Sequence, residues 1–461
     1  MSTKSTIFSQ KISGNLVENE VDKLFYSNIP ELKAEMLCVD NWIKLNNMNK
    51  VIMNEQEIEE YNKSSVKTVT PIKDLENYKR SFSKQEIVEK LNLFSSSPKY
   101  EAFNEKGELI TQEYYNKLME NCNIEELKDL NNIKYGITIR KTVMRTFPTY
   151  NRVFKTGDNY EFDRFQETAV YPVEPIVILI SSMDSNWYFA QMYNYLAWIP
   201  TKDVAILSKK ELFDYIKTEK FIVTAGKRVF TNYNPLNKQL SEVKFDMGIR
   251  IPLANIEEIE EDIYGQNSTG NYVVKLPTRN ISGNVEFKLA LIARNEEISV
   301  GYLPYTRENI IAHVFKFLGE RYGWGGMFNS RDCASIIMDV YRTMNIKLPR
   351  NSEEQGRLAV GNFYGMSANM TIMDREKLLY TLKPGTPLYM NGHVMIYLGA
   401  ENGQHYIIHD FSGFYKPQQD GKLKYYKVRE VMVSPLSIVA SEGGETYIEE
   451  LYGARNFVNV D

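Results

Sequence analysis

The sequence predicts an α+β protein of several domains. A polar, mainly helical N-terminal segment comes first, then two small β-barrels, then a domain in which helices precede strands. Three observations carry this expectation. At 461 residues the chain exceeds what one ordinary hydrophobic core supports. Short runs rich in β-branched and aromatic residues, separated by turn residues, fill the stretch from 133 to 300. Apolar residues at helical spacing flank that stretch on both sides.

Within residues 1–132, "KAEMLCVDNWIKLNNM", "SFSKQEIVEKLNLF" and "ITQEYYNKLMENCNIEELKDL" read as helices, the second with plausible caps. Residues 133–210 hold "YGITIRKTVMRTF", "EPIVILISSM", "WYFAQMY" and "LAWIPTKDVAIL", the expected first barrel. Residues 211–300 hold "KFIVTAGKRVF", "KFDMGIRIPLA", "GNYVVKLPTRN" and "VEFKLALIA", the expected second. Residues 301–461 form the α+β unit. The opening "MSTKSTIFSQKISGNLVENE" lacks the apolar core of a secretory signal, so the protein either works inside the cell or has lost a leader. No apolar run reaches the ~18 residues of a transmembrane segment. A formal charge of −4, with both signs interspersed, gives no electrostatic case for nucleic acid or an anionic membrane.

Three cysteines, Cys38, Cys122 and Cys333, cannot build a disulfide framework. Cys38 and Cys122 read as small packed residues. The absence of CxxC and HExxH leaves a zinc site and any other cofactor without support. Cys333 differs. "TRENIIAHVFKFLGERYG" predicts a helix capped by Thr306, and a second helix begins at Asp332, with Asn345 as a left-handed exit and Pro349 as a stop. Cys333 thus occupies the first turn of a buried helix, where unpaired N–H groups and the helix dipole are expected to lower a thiol pKa. The plainer reading makes Asp332 an N-cap and Cys333 a packed side chain.

Downstream, "GHVMIYLGAENGQHYIIHDF" reads as a β-hairpin. A turn centred near Glu401 sets His393 opposite His409, side chains ~5 Å apart on one face. His405 belongs near the turn and reads as a surface histidine; His313 reads as a helix-surface or packing residue. A cysteine at a helix start and two histidines paired across strands suit acyl transfer, with one imidazole as base and the second group orienting it. A cross-strand pair without chemistry, or a metal site of Cys333, His393 and His409 lacking a fourth ligand, are the competing readings.

Five segments in this order, "LGERYGWGG", "RDCASII", "IKLPRNSEEQ", "GHVMIYLG" and "YIIHD", resemble the NlpC-type papain-like cysteine peptidases of bacterial cell-wall metabolism. Upstream, "RTFPTYNRVF", "DRFQETAVYPVEPIVIL" and "FDMGIRIPL" resemble the multidomain subgroup with an N-terminal stabilising segment and two bacterial SH3-like barrels. The resemblance implies a peptidoglycan endopeptidase that cuts the γ-D-glutamyl bond to meso-diaminopimelate or lysine in stem peptides or muropeptide fragments, several members requiring a free N-terminal L-alanine. It implies Cys333 as nucleophile, His393 as base, His409 as orienting group and Tyr322 beside the oxyanion. It further implies Asp332 facing the substrate amine, with Trp324, Arg350 and Ser352 near the cleft. Ala334 stands where the family usually has serine. Capping of the cleft by the first barrel is the expected use of its aromatics. A wall-binding scaffold with an idle site, or another amidase or acyl transferase, are the alternatives.

Overall fold

The computed structural model describes residues 25–44, 47–68, 71–157 and 160–458; the N-terminal segment quoted above lies outside them. Among the described residues the longer N-terminal helices are α1 (Glu55–Thr68), α2 (Lys84–Phe94) and α3 (Gln112–Asn121). Ser83 caps α2 through a reciprocal box with Glu86, which satisfies two otherwise orphaned N–H donors. The expected helix over 33–48 does not form as one element. It breaks into a 3₁₀ turn, Ala34–Leu37, and a four-residue helix, Asp40–Ile43. Cys38 at the break is exposed rather than packed, whereas Cys122 is buried as expected. This segment is held by tertiary contacts. Trp42 packs on Tyr406 with ring centroids 5.5 Å apart, and Val51–Met53 pairs with Tyr305–Thr306.

Seven antiparallel strands follow: β1 (Lys134–Thr138), β2 (Thr142–Arg145), β3 (Gln166–Val170), β4 (Pro175–Ser181), β5 (Trp187–Gln191), β6 (Leu196–Pro200) and β7 (Val204–Leu207). Their order in one sheet is β7-β1-β4-β5-β6-β2-β3. Every residue of β6 is buried. Trp198 points into the core shared with α2 and α3, and Ala197 and Ile199 point into the barrel's own core. That is why "LAWIP" reads as a continuous apolar run instead of an alternating one.

After helix α4 (Lys209–Ile216), the second β-rich region builds several small sheets in place of a single closed one. β8 (Phe221–Thr224) pairs with β11 (Arg250–Pro252) and β14 (Ile298–Val300). β9 (Arg228–Phe230) pairs with β10 (Lys244–Asp246), and β12 (Asn271–Arg279) with β13 (Val285–Ala293). Its core is continuous with Ile137, Tyr171 and Leu207 of the first barrel, so the two regions pack as one body.

The C-terminal unit contains α5 (Arg307–Phe315), α6 (Cys333–Arg342) and α7 (Ile372–Thr381). Its sheet has the order β15-β20-β16-β17-β18-β19. The strands are β15 (Asn362–Gly365), β16 (Pro387–Met390), β17 (His393–Glu401), β18 (Gln404–Pro417), β19 (Leu423–Pro435) and β20 (Leu451–Asn456). α6 is buried along almost its whole length and packs against β17, which sets Cys333 beside the strand that begins with His393.

Candidate active site

The turn before α6 is shaped by glycine. Gly325 and Gly326 both have positive φ, and a Cβ on Gly326 would lie 2.5 Å from that of Ala169. Only a bare backbone lets β3 approach this closely. The Gln166 amide donates to the Gly325 carbonyl at 2.7 Å, closing the first barrel over the turn. Trp324 packs edge-on against Phe162 at 5.7 Å with Arg164 over its face at 5.5 Å. The barrel therefore borders the turn that leads into Cys333.

Asp332 caps α6: its carboxylate accepts from the Ser335 N–H at 2.9 Å and the Gly325 N–H at 3.0 Å. Arg350 grips the same carboxylate with both Nη atoms, at 3.2 and 2.5 Å, and its Nε donates to Thr168 at 2.6 Å. Arg350 is itself buried. Burial alone would raise the Asp332 carboxyl, but the Arg350 charge and these donors outweigh it and hold it below the usual carboxylate range. Ser335 spends its hydroxyl on the Asp332 N–H at 2.9 Å, so it does not replace the serine missing at Ala334. Ser352 opens the short helix Ser352–Gly356 and is half-buried.

The two histidines meet, though by a different register from the expected one. The turn is Asn402-Gly403, both with positive φ, which is the chemistry of a tight two-residue hairpin. The pairing then slips by one residue between Tyr397 and Gly399. Without that bulge, His393 and His409 would point to opposite faces of the sheet. With it they share a face diagonally, and His393 Nε2 lies 2.9 Å from His409 Nδ1. The far nitrogen of His409 lies 2.9 Å from the Ser434 hydroxyl. Phe411 stacks on His409 at 3.9 Å, and Tyr447 meets both imidazoles edge-on at 5.2 and 6.3 Å. Ser434, Phe411 and Tyr447 carry no motif signal, because their places depend on β19 and the chain end folding back. His405 is buried rather than on the surface, 2.7 Å from the Tyr397 hydroxyl, and His313 is buried against its own helix.

Cys333 is 8% exposed, and its sulfur is stabilised by the Val394 N–H, one residue from His393. Burial, then the Asp332 charge, pushes its thiol up to about 12. This overturns the expectation of a lowered pKa: a helix start acts on sulfur only modestly when a carboxylate and a dry environment oppose it. Burial likewise brings His393 down to about 4, and burial with the neighbouring His393 holds His409 well below its ordinary value. The resting site is thus a thiol beside neutral imidazoles. Tyr322 is half-buried beside it, its ring 6.1 Å from Phe162, and burial followed by the Cys333 charge raises its phenol. Asp410, next to His409, is buried with neither carboxylate oxygen hydrogen-bonded, and burial raises it well above the carboxylate range.

A pH dependence follows. His393 and His313, both near 4, and His409 are neutral in the fold and titrate near 6.5 when unfolded. Their stabilisation is complete above about 6.5 and is lost as pH falls toward about 4. Asp410, raised in the fold, acts in the opposite sense over part of that window. Thermal melts should show a plateau above pH 7 and a falling midpoint from 6.5 to 4; a flat profile would show that these rings are solvated.

Beneath the site, Arg331 is fully buried between three carboxylates: Asp246 at 2.9 Å, Glu320 at 2.8 Å and Asp339 at 2.6 Å. The Tyr171 hydroxyl donates to Asp339 at 2.8 Å. These residues come from both β-rich regions and the C-terminal unit, so one guanidinium locks all three around the residue preceding Asp332.

Residues 319–430 match the model of the NlpC/P60 family. The C-terminal unit is an NlpC/P60 domain. Residues 148–200 match an SH3 domain of the SH3b1 type, so an SH3b domain precedes the NlpC/P60 domain in an α+β chain. Among solved structures the protein is similar to an NlpC/P60 endopeptidase from Photobacterium damselae subsp. piscicida, with 16% identity and a TM-score of 0.71 over 90% of this chain and 95% of that one. That likeness establishes a shared fold. An NlpC/P60 family protein from Bacillus cereus ATCC 10987 matches at 20% identity and a TM-score of 0.42, over 64% of this chain and 83% of that one. No curated protein matches the chain. Among the described residues no helix is long and apolar enough to cross a membrane, and no cluster of metal-ligating side chains occurs.

Proposed function

We propose that the protein is a cell-wall cysteine peptidase that hydrolyses the γ-D-glutamyl–diamino acid amide of peptidoglycan stem peptides. The observation that carries this is the His393–His409–Ser434 chain at 2.9 Å per step, beginning one residue from the amide that supports Cys333 sulfur. With Nε2 of His393 donating to His409 and Nε2 of His409 donating to Ser434, Nδ1 of His393 is left as an acceptor. It takes the thiol proton as sulfur attacks the amide carbon, then delivers it to the leaving amine. The Tyr322 hydroxyl and the Cys333 N–H are the donors for the tetrahedral oxyanion, each contributing roughly 10²-fold in rate. Water then hydrolyses the thioester. A nearly closed site bordered by the SH3b domain favours short released peptides over intact wall.

Asp332 enters this scheme mainly as an anchor. A carboxylate already shared by Arg350, Gly325 and Ser335 has little left for a substrate ammonium. Asp332→Asn should therefore lower kcat/KM by a similar factor, roughly tenfold or more, on free-amine and N-acetylated peptides, because Arg350 loses its counter-ion in both cases. A loss confined to the free-amine peptide would restore the amine-binding role. The function itself is tested by mass spectrometry of L-Ala-γ-D-Glu-meso-diaminopimelate and its lysine analogue after incubation. Release of L-Ala-D-Glu is expected; persistence of both intact peptides would overturn the reading.

A further inference from the structure

A cavity of about 240 Å³ opens where the three β-containing parts of the protein meet. The SH3b domain and its flank contribute Glu174 and Tyr193, the second β-rich region Arg250, and the NlpC/P60 domain and its approach Tyr302, Arg342 and Lys347. The cavity lies apart from the active site: Cys333 begins α6 and Arg342 ends it, a rise of ~14 Å. Its volume holds about eight waters at ~30 Å³ each, the bulk of one small amino acid or dipeptide.

The charges lining it are left open. Arg342 lies 5.2 Å from the Tyr171 ring centre, and its Nη1 is buried with no hydrogen-bond partner. Among the described residues, no ion pair within 4.0 Å joins Glu174 to Arg342 or Lys347. All three nevertheless lie close enough for the two cations to act on the Glu174 carboxyl. The third cation, Arg250, is spent on the Thr218 carbonyl and the Phe221 ring, so Glu174, Arg342 and Lys347 are left sharing the cavity without touching, a gap suited to a ligand with both charges. A buried guanidinium nitrogen without a partner is costly until an anion meets it.

We propose that this cavity binds a free amino acid or dipeptide, its ammonium on Glu174 and its carboxylate on Arg342 and Lys347. The tyrosines flank the ligand's side chain. The assignment rests on the charge arrangement of the cavity and not on the activity proposed above.

The test is calorimetric titration of the full chain carrying Cys333→Ala, with L-Ala-D-Glu and L-lysine as probes. Each probe is compared with its N-acetylated and C-amidated form, and with inorganic phosphate. Saturable binding of the free probes is expected, at least tenfold weaker once either end is blocked. Glu174, half-buried, and Lys347, exposed, can be replaced with little risk to folding, and melting curves check this. Glu174→Gln should weaken the free probe at least tenfold and leave the N-acetylated form unchanged. Lys347→Met should weaken the free probe and leave the C-amidated form unchanged. No binding at millimolar concentration, binding unaltered by both substitutions, or phosphate binding as tightly as the amino acid would each overturn the proposal.

Discussion

Cys333→Ala should abolish peptide hydrolysis, lowering kcat by roughly 10⁴-fold or more, while the melting temperature stays close to that of the parent. In the mechanism proposed above the chemistry depends on the Cys333 sulfur alone. The fold depends on it little. Alanine is the best helix former, and the capping of α6 belongs to Asp332 and Ser335, which remain. Cys38 is exposed and Cys122 is buried in the core of the N-terminal helices and the SH3b domain, so neither can substitute. The measurement is peptide turnover by chromatography beside circular-dichroism melts. Unchanged turnover in a folded variant would remove the cysteine peptidase reading altogether.

Arg331→Met should be the most damaging single change for stability. It leaves Asp246, Glu320 and Asp339 buried around an apolar chain, and removing one partner of a buried charge cluster costs about 3–5 kcal/mol. For units of this size that corresponds to a fall in melting temperature of roughly 10 °C. Lys141 and Lys244 also reach Asp246, at 3.1 and 3.5 Å, and Arg228 and Lys227 reach Glu320, at 3.4 and 4.0 Å, so the loss falls hardest on Asp339. Because Arg331 precedes Asp332, the surviving folded fraction should also lose activity. A melting temperature within 2 °C of the parent (a shift of ~1 kcal/mol or less) would show that the cluster is not a structural lock.

Much of the site could be read from the chain because its signals are local. A helix start is written in Asp332, Ser335 and the apolar spacing that follows, and Thr306 marks its own cap in the same way. The hairpin was legible from alternation and turn residues, but its register was not. The expected turn near Glu401 and the observed turn at Asn402-Gly403 differ by a small shift, and the bulge beyond it restores the shared face. Neither feature has a cost that sequence alone reveals, since a bulge is fixed by what both strands pack against. Residues 33–48 failed for a related reason. Trp42 and Met36 are drawn into the C-terminal core, and that burial outweighs the helical spacing.

Sequence by itself determined the order of the parts, the helix that carries Cys333 and the strand pair that carries the histidines, because periodicity and capping act between near neighbours. Tertiary structure alone decided the protonation of the site and what each charge does. Burial, which no local pattern encodes, keeps the sulfur a thiol and the imidazoles neutral. Arg350 reaches Asp332, and Arg331 reaches Asp246, only once separate segments close around them, so the Asp332 that reads as an N-cap or as a partner for a substrate amine is clamped by a guanidinium in the fold.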